Sequence, residues 1–364
     1  MTALRLLNTE SQDKADYLHN QLITDINVPS TYWECAESYL KGVGIYDVFL
    51  IEEQDFRNYK IFLRETGNFT KKQVFERTGF LRNLKKTLIQ EEYKELLDEI
   101  EQCNTVQERL KGNVRNFLIR QGIHHVREID YRTRELYESE LRRTKTFSKS
   151  LEYLKTLDRI KQFDIRKEME TLSGRNKERL KYEGQVIFLP YIPDQDIASD
   201  FDYIQDKSEL VWDFSQKASE NLKRQIFQIL CYALRNIKDS KDRRVRYLLP
   251  LRWMYEFCIE EGIDDIERLE LEQIKKLETI VARKVANVKN SMQIVDNSRK
   301  ILFMSGKEIH WYANVWYMER FNFAPERVNP SNPVQRLSFY EVTNERNREL
   351  LQEYMKYQVG IGDL

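Results

Sequence analysis

The residues best placed to do chemistry in this 364-residue chain are cations that can meet phosphate oxygens. Between Lys223 and Arg246 stand Lys223, Arg224, Arg235, Lys238, Lys241, Arg243, Arg244 and Arg246, opposed by Asp239 and Asp242, a net of +6. Side chains of this kind neutralise a phosphate backbone and displace its counterions. The run Lys241-Asp-Arg-Arg-Val-Arg246 falls in a connection between two predicted helices, where it can enter a groove or lie along a backbone. A second basic segment, Arg142–Lys181, includes Arg142, Arg143, Lys145 and Lys149, with Ser148 and Ser150 as small polar neighbours. The competing reading is a solvated helix face, paired with the acidic stretch Asp194–Asp213. No base-reading residue stands out.

Other chemistries are poorly served. The chain has no Gly-rich phosphate loop, no Gly-x-Ser-x-Gly and no His-Glu-x-x-His. Its carboxylates are spread along helical faces. Cys35, Cys103, Cys231 and Cys258 stand too far apart in sequence for a metal knuckle or redox pair, and read as buried, reduced thiols. No cofactor and no small-molecule substrate is expected. The N-terminus lacks an apolar signal core, and no apolar run approaches the ~20 residues of a membrane span. A cytoplasmic location with no membrane partner is the expectation.

The elements that must position the cations are helices. Glycine (12) and proline (7) are scarce, which favours long uninterrupted elements. Equal numbers of basic and acidic residues give a net charge of zero, so bulk charge names no partner. Apolar spacing predicts helices over Ala3–Ile26, Thr31–Lys41, Glu53–Arg64, Lys71–Gln102 with a break near Gly79, and Val106–Gln121. Thr133–Ile165 reads as one or two helices, followed by Glu220–Asn236, Arg246–Glu261, Glu270–Val288 and Thr343–Tyr357. Gly184–Ile192 is a short strand or an extended linker. Asp194–Asp213 reads as an exposed acidic linker, Lys300–Trp316 as a minor β-hairpin, and Phe323–Asn332 as a loop.

The chain repeats itself. Tyr39-Leu40 is followed by Gly44-Ile45, Val48, Ile51 and Leu63; Phe117-Leu118 by Gly122-Ile123, Val126, Ile129 and Leu141; Phe257-Cys258 by Gly262-Ile263, Ile266 and Leu269. Each glycine can take the left-handed conformation that closes a helix. The isoleucine folds back on the last turn, two further apolar residues pin the connection, and Glu52, Asp130 or Glu270 opens the next helix at its positive end.

This corner resembles the end of the core-binding, SAM-like domain of tyrosine site-specific recombinases and phage integrases. Phe117-Leu-Ile-Arg-Gln-Gly-Ile-His-His-Val-Arg-Glu-Ile-Asp, with Tyr137 and Leu141, carries the likeness best. Tyr39-Leu-Lys-Gly-Val-Gly-Ile through Tyr59 and Leu63 is a second match. Asn221-Leu-Lys-Arg-Gln-Ile-Phe-Gln-Ile-Leu-Cys-Tyr-Ala-Leu with Leu248-Leu-Pro-Leu-Arg-Trp-Met-Tyr-Glu-Phe-Cys is similar to the N-terminal regions of large transposon-encoded members. Arg336-Leu-Ser-Phe-Tyr through Tyr354-Met-Lys-Tyr looks like the first helix of a further such domain.

The resemblance implies a mainly α chain of small modules. These are helical modules at 1–66 and 67–145, a basic helix and acidic linker at 146–210, a third module at 211–300, a connector at 301–336 and the start of another domain at 337–364. It implies a clamp on duplex DNA, with other recombinase subunits as further partners. In that family, cleavage needs a tyrosine nucleophile, arginines, a lysine and a His-x-x-Arg pair. His19, His125 and His310 have no arginine three residues on. His124-His-Val-Arg127 matches in form but lies inside the repeated corner, where the other copies have Tyr46…Phe49 and Asp264…Glu267. The expectation is a DNA-gripping portion without catalytic residues, a fragment or truncated product. A helical protein-interaction scaffold is the alternative.

Overall fold

A computed structural model describes residues 11–23, 29–67, 69–171, 185–323 and 334–361. The chain is mainly α, with two small antiparallel sheets among the described residues. It divides into two compact units, Met1–Lys177 and Glu178–Leu364.

The first unit contains eight helices among its described residues: α1 Ser11–Leu22, α2 Ser30–Gly42, α3 Glu53–Thr66, α4 Lys71–Glu92, α5 Lys94–Gln102, α6 Glu108–Arg120, α7 Tyr131–Thr144 and α8 Phe147–Thr171. They form two successive four-helix modules. In the first, Leu18, Leu40, Val48, Ile51, Tyr59, Leu63 and Leu81 share one buried cluster. In the second, Leu96, Leu118, Val126, Ile129, Tyr137, Leu141 and Leu157 are buried in turn. The first six members of each set are 78 residues apart. A spacing kept over so many buried positions makes the second module a repeat of the first.

The long predicted helix Lys71–Gln102 breaks at Tyr93 and not near Gly79. Gly79 lies inside α4, where an isolated glycine costs only about 1 kcal/mol relative to alanine. A reciprocal Thr70–Gln73 cap and the buried face Val74, Leu81 and Leu84 sustain the helix past it. Tyr93 leaves helical geometry because its buried ring is held edge-on by Phe49 at 5.6 Å and stacked on His124 at 4.6 Å.

The second unit opens with β1 Val186–Phe188, paired antiparallel with β2 Val211–Asp213 so that Ile187 faces Trp212. Helices α9 Glu220–Asn236, α10 Leu249–Glu260, α11 Leu271–Ala282 and α12 Val288–Ser305 follow, with a π-helical turn Arg243–Leu248 running into α10. β3 Val315–Tyr317 pairs with β4 Arg336–Ser338, and α13 Glu345–Ile361 comes last.

Three expectations are corrected in this unit. The acidic stretch is folded rather than an exposed linker: Phe201, Ile204, Leu210, Trp212 and Phe214 are buried, while Asp194 and Asp206 cap short helical turns. Acid-rich composition concealed an apolar set too irregularly spaced for a helix. The hairpin at Lys300–Trp316 is absent, because residues up to Ser305 belong to α12 and β3 finds its partner farther on in β4. The helix expected over Glu270–Val288 ends at Ala282, with Asn287 capping α12. The sheet β3–β4 buries Val315, Trp316 and Phe339 against Phe303 of α12. α13 is tied to this core by Gln352, which donates to the Ala313 carbonyl at 3.0 Å, and by Arg348 on Glu270 at 2.9 Å. The loop expected over Phe323–Asn332 falls largely outside the described residues.

Candidate nucleic-acid interface

The repeated corner is closed by backbone hydrogen bonds. Gly44, Gly122 and Gly262 have φ of +76°, +68° and +66° and are the glycines of positive φ among the described residues. In each copy the amide after the glycine returns to the helix: Ile45 to Leu40 at 2.8 Å, Ile123 to Leu118 at 3.1 Å, Ile263 to Cys258 at 2.8 Å. This six-residue closure satisfies carbonyls that a helix end otherwise leaves open. A 3₁₀ turn follows each time, at Val48–Leu50, Val126–Glu128 and Ile266–Arg268. The third helix then begins behind a capping carboxylate, Glu52, Asp130 or Glu270.

Side chains from two other helices lock the corner, and no motif in the sequence marks them. In the first module Gln21 of α1 donates to Asp47 at 3.0 Å and accepts from the Val48 amide at 2.9 Å. In the third, Gln225 of α9 does the same to Asp265 and Ile266 at 2.7 and 2.8 Å. The second module keeps the geometry with different groups. Glu99 of α5 accepts from the Val126 amide at 2.7 Å and meets the His125 ring at 3.4 Å. A cation of the fourth helix closes the other side: Lys85 on the Ile51 carbonyl, Lys161 on those of Val126 and Arg127, Arg299 on that of Leu269. Burial lowers the pKa of all three cations. α9–α12 is therefore a third copy of the module. His124 sits in the second corner with its ring on Tyr93, and its own amide donates to Glu128 at 3.1 Å.

The cations singled out by sequence fall into two groups. Arg243 is 3% exposed; it pairs with Asp200 at 2.7 Å and donates to the Ile237 carbonyl at 2.9 Å. Arg244 sends Nε and Nη2 to one oxygen of Glu209 at 3.0 and 2.7 Å. Lys223 is buried and pairs with Glu220 at 3.1 Å. Arg224 is exposed and donates to Asn221 at 2.7 Å, and Arg246 is exposed with Asp242 at 3.3 Å. Lys241 is exposed and has no ion pair among the described residues. The basic connection of the third module thus has its inner arginines turned onto the acidic segment, and only its outer edge faces solvent.

The connection between α7 and α8 is arranged differently. Arg142 pairs with Glu138 one turn back on α7. Arg143, Lys145 and Lys149 are exposed and form no ion pair among the described residues. Phe147, in the middle of this run, is 75% exposed. Ser148 is also exposed, but Ser150 is buried and donates to the Leu141 and Thr146 carbonyls, so it is not free to meet a phosphate.

No family model, curated protein or solved structure matches the chain. Among the described residues there is no group of three or more His, Cys, Asp or Glu fit to hold a metal, and no helix long and apolar enough to cross a membrane.

Proposed function

We propose that this chain binds duplex DNA, as the gripping portion of a tyrosine-recombinase-type assembly that includes other subunits, and supplies no cleavage chemistry from these residues. The observation that carries the reading is the α7–α8 connection. Arg143, Lys145 and Lys149 are exposed there and form no ion pair among the described residues, beside an exposed phenyl ring, whereas Arg243 and Arg244 of the other basic segment are turned onto carboxylates. Charged groups left in water without partners add little to stability, but they are what a phosphate backbone recruits. An apolar ring among them suits a surface that meets sugar and base faces too. The recombinase likeness of the Phe117–Asp130 corner, immediately before α7, supplies the class of DNA.

The test is anisotropy of a labelled duplex over a salt series. Binding should weaken steeply with salt, and R143A/K145A/K149A should reduce the log–log slope by about 0.9 for each phosphate no longer neutralised. Absent or salt-insensitive binding overturns the reading, and a covalent tyrosyl adduct with nicked DNA overturns the assignment of no cleavage.

A second reading, a protein-interaction scaffold, is favoured by α13. Leu350, Tyr354 and Tyr357 expose 55–64% of their surface along one face of that helix. Contiguous exposed apolar surface of this kind marks protein contacts.

A further inference from the structure

The three modules share a charge pattern as well as a backbone. In each, the third helix runs from the Gly-Ile corner to a connection with the fourth helix. Acids predominate at the corner end: Asp47 and Glu52 in the first copy, Glu128 and Asp130 against Arg127 in the second, and Asp264, Asp265 and Glu270 against Arg268 in the third. These acids have structural work, since Asp47, Glu52, Asp130, Asp265 and Glu270 each accept a backbone amide at the start of a helical turn.

The opposite end is basic in every copy. Arg64, Lys71 and Lys72 flank the α3–α4 connection with Glu65 as the opposing charge; Arg142, Arg143, Lys145 and Lys149 flank α7–α8; Arg283, Lys284 and Lys289 flank α11–α12. Neither of the last two stretches contains an acid. All these cations are exposed. Lys284 lies 3.7 Å from Glu256 and Lys72 3.9 Å from Glu76, while Arg64, Lys71, Arg143, Lys145, Arg283, Lys149 and Lys289 form no ion pair among the described residues.

Helix electrostatics explains only half of this. Arg64 or Arg143 near the end of a helix suits its negative pole. Lys71, Lys72, Lys149 and Lys289 lie in the first turn of the following helix, at the positive pole, where a cation is disfavoured. The first turns of α4, α8 and α12 contain no acid. Three modules thus concentrate cations where the fold alone would select against them, and Lys71, Lys149 and Lys289 each stand 27 residues after their corner glycine. A polyanion lying against that end removes the conflict.

We propose that the third-to-fourth-helix connection is the phosphate-contacting end of every module, so that the chain grips a nucleic-acid backbone at three equivalent points rather than at α7–α8 alone. This rests on the reading of the chain as a DNA-binding protein. It assigns phosphate-binding roles to Arg64, Lys71, Lys72, Arg283, Lys284 and Lys289, and leaves the inner arginines of the Arg243–Leu248 turn to the fold.

The experiment uses the full chain and a labelled duplex over a salt series, with circular-dichroism melts confirming that each variant folds. R64A/K71A/K72A, R143A/K145A/K149A and R283A/K284A/K289A should each weaken binding and each lower the salt slope by up to about 2.7, three phosphates at about 0.9 apiece. K94A/K275A, which removes exposed cations away from the three connections, at the start of α5 and within α11, should leave the slope unchanged. If R143A/K145A/K149A alone has an effect, the three-point grip is overturned while the DNA-binding reading stands. If K94A/K275A costs as much per charge as the connections do, binding follows bulk charge and the proposal fails. If the unaltered chain does not bind the duplex, both readings fail together.

Discussion

Glu267 shows how one residue of a repeat can be reassigned. It occupies the middle of the third 3₁₀ turn, where the first copy has Phe49 and the second Arg127. Phe49 packs on Tyr93 at the start of the next module, whereas Glu267, 1% exposed, meets His310 Nδ1 at 2.7 Å. Burial, with the nearby charge of Asp265, lifts the Glu267 carboxyl to about 8. An unfolded glutamate titrates near pH 4.3, so between there and pH 8 the folded chain holds a proton that the unfolded chain has released. Stability therefore falls as pH rises through that window. Burial lowers the pKa of His310, so its protonation favours the unfolded chain and acts only below about pH 6.5. The expected outcome is a melting temperature that declines from pH 6.5 to 8.5, and a Glu267→Gln variant, still able to bond His310, in which that decline is gone. An unchanged decline in the variant refutes the assignment. None of this was legible in sequence, since the partner lies 43 residues away in a segment expected to be a connector.

At the scale of elements, the corner was legible because its conformation admits few residues. A left-handed residue costs a side-chain-bearing amino acid about 1–2 kcal/mol, which keeps glycine at one position in three copies. A Cβ on Gly262 meets nothing within 4 Å, so Gly262→Ala isolates the conformational cost. It should destabilise the second unit by about 1–2 kcal/mol in chemical denaturation, and a neutral result would show that the positive φ is not enforced. The lock around the corner was illegible for the converse reason. Its chemistry survives substitution when both partners change, as Gln21 with Asp47 becomes Glu99 with His125, so no residue type marks it. The basic stretch Lys223–Arg246 contains two acids of its own, Asp239 and Asp242, but Asp200 and Glu209, which engage Arg243 and Arg244, stand 43 and 35 residues upstream of them. Sequence counts charge locally, whereas the fold pairs it across elements.

For the whole molecule, two compact units with separate buried cores are expected to unfold as two cooperative steps. Gly262→Ala should move one step and leave the other in place; a single transition shifting as a whole would overturn that expectation. The mainly helical character was readable from scarce breakers, and the recurrence of the corner from its matched glycines. The folding of the acidic segment and the long-range β3–β4 pair were not, because short strands and irregular turns carry no period. The spacing between the first two copies has a consequence for how such a chain changes length. Joining Gly44 directly to Ile123 excises 78 residues and leaves an unbroken Gly-Ile corner. In that shorter chain Gln21 would face His125, and its amide still offers an acceptor for the Val126 N–H and a donor for the imidazole. Unequal exchange between its own gene segments can therefore delete or add a whole module in one event, and every product inherits a corner that closes.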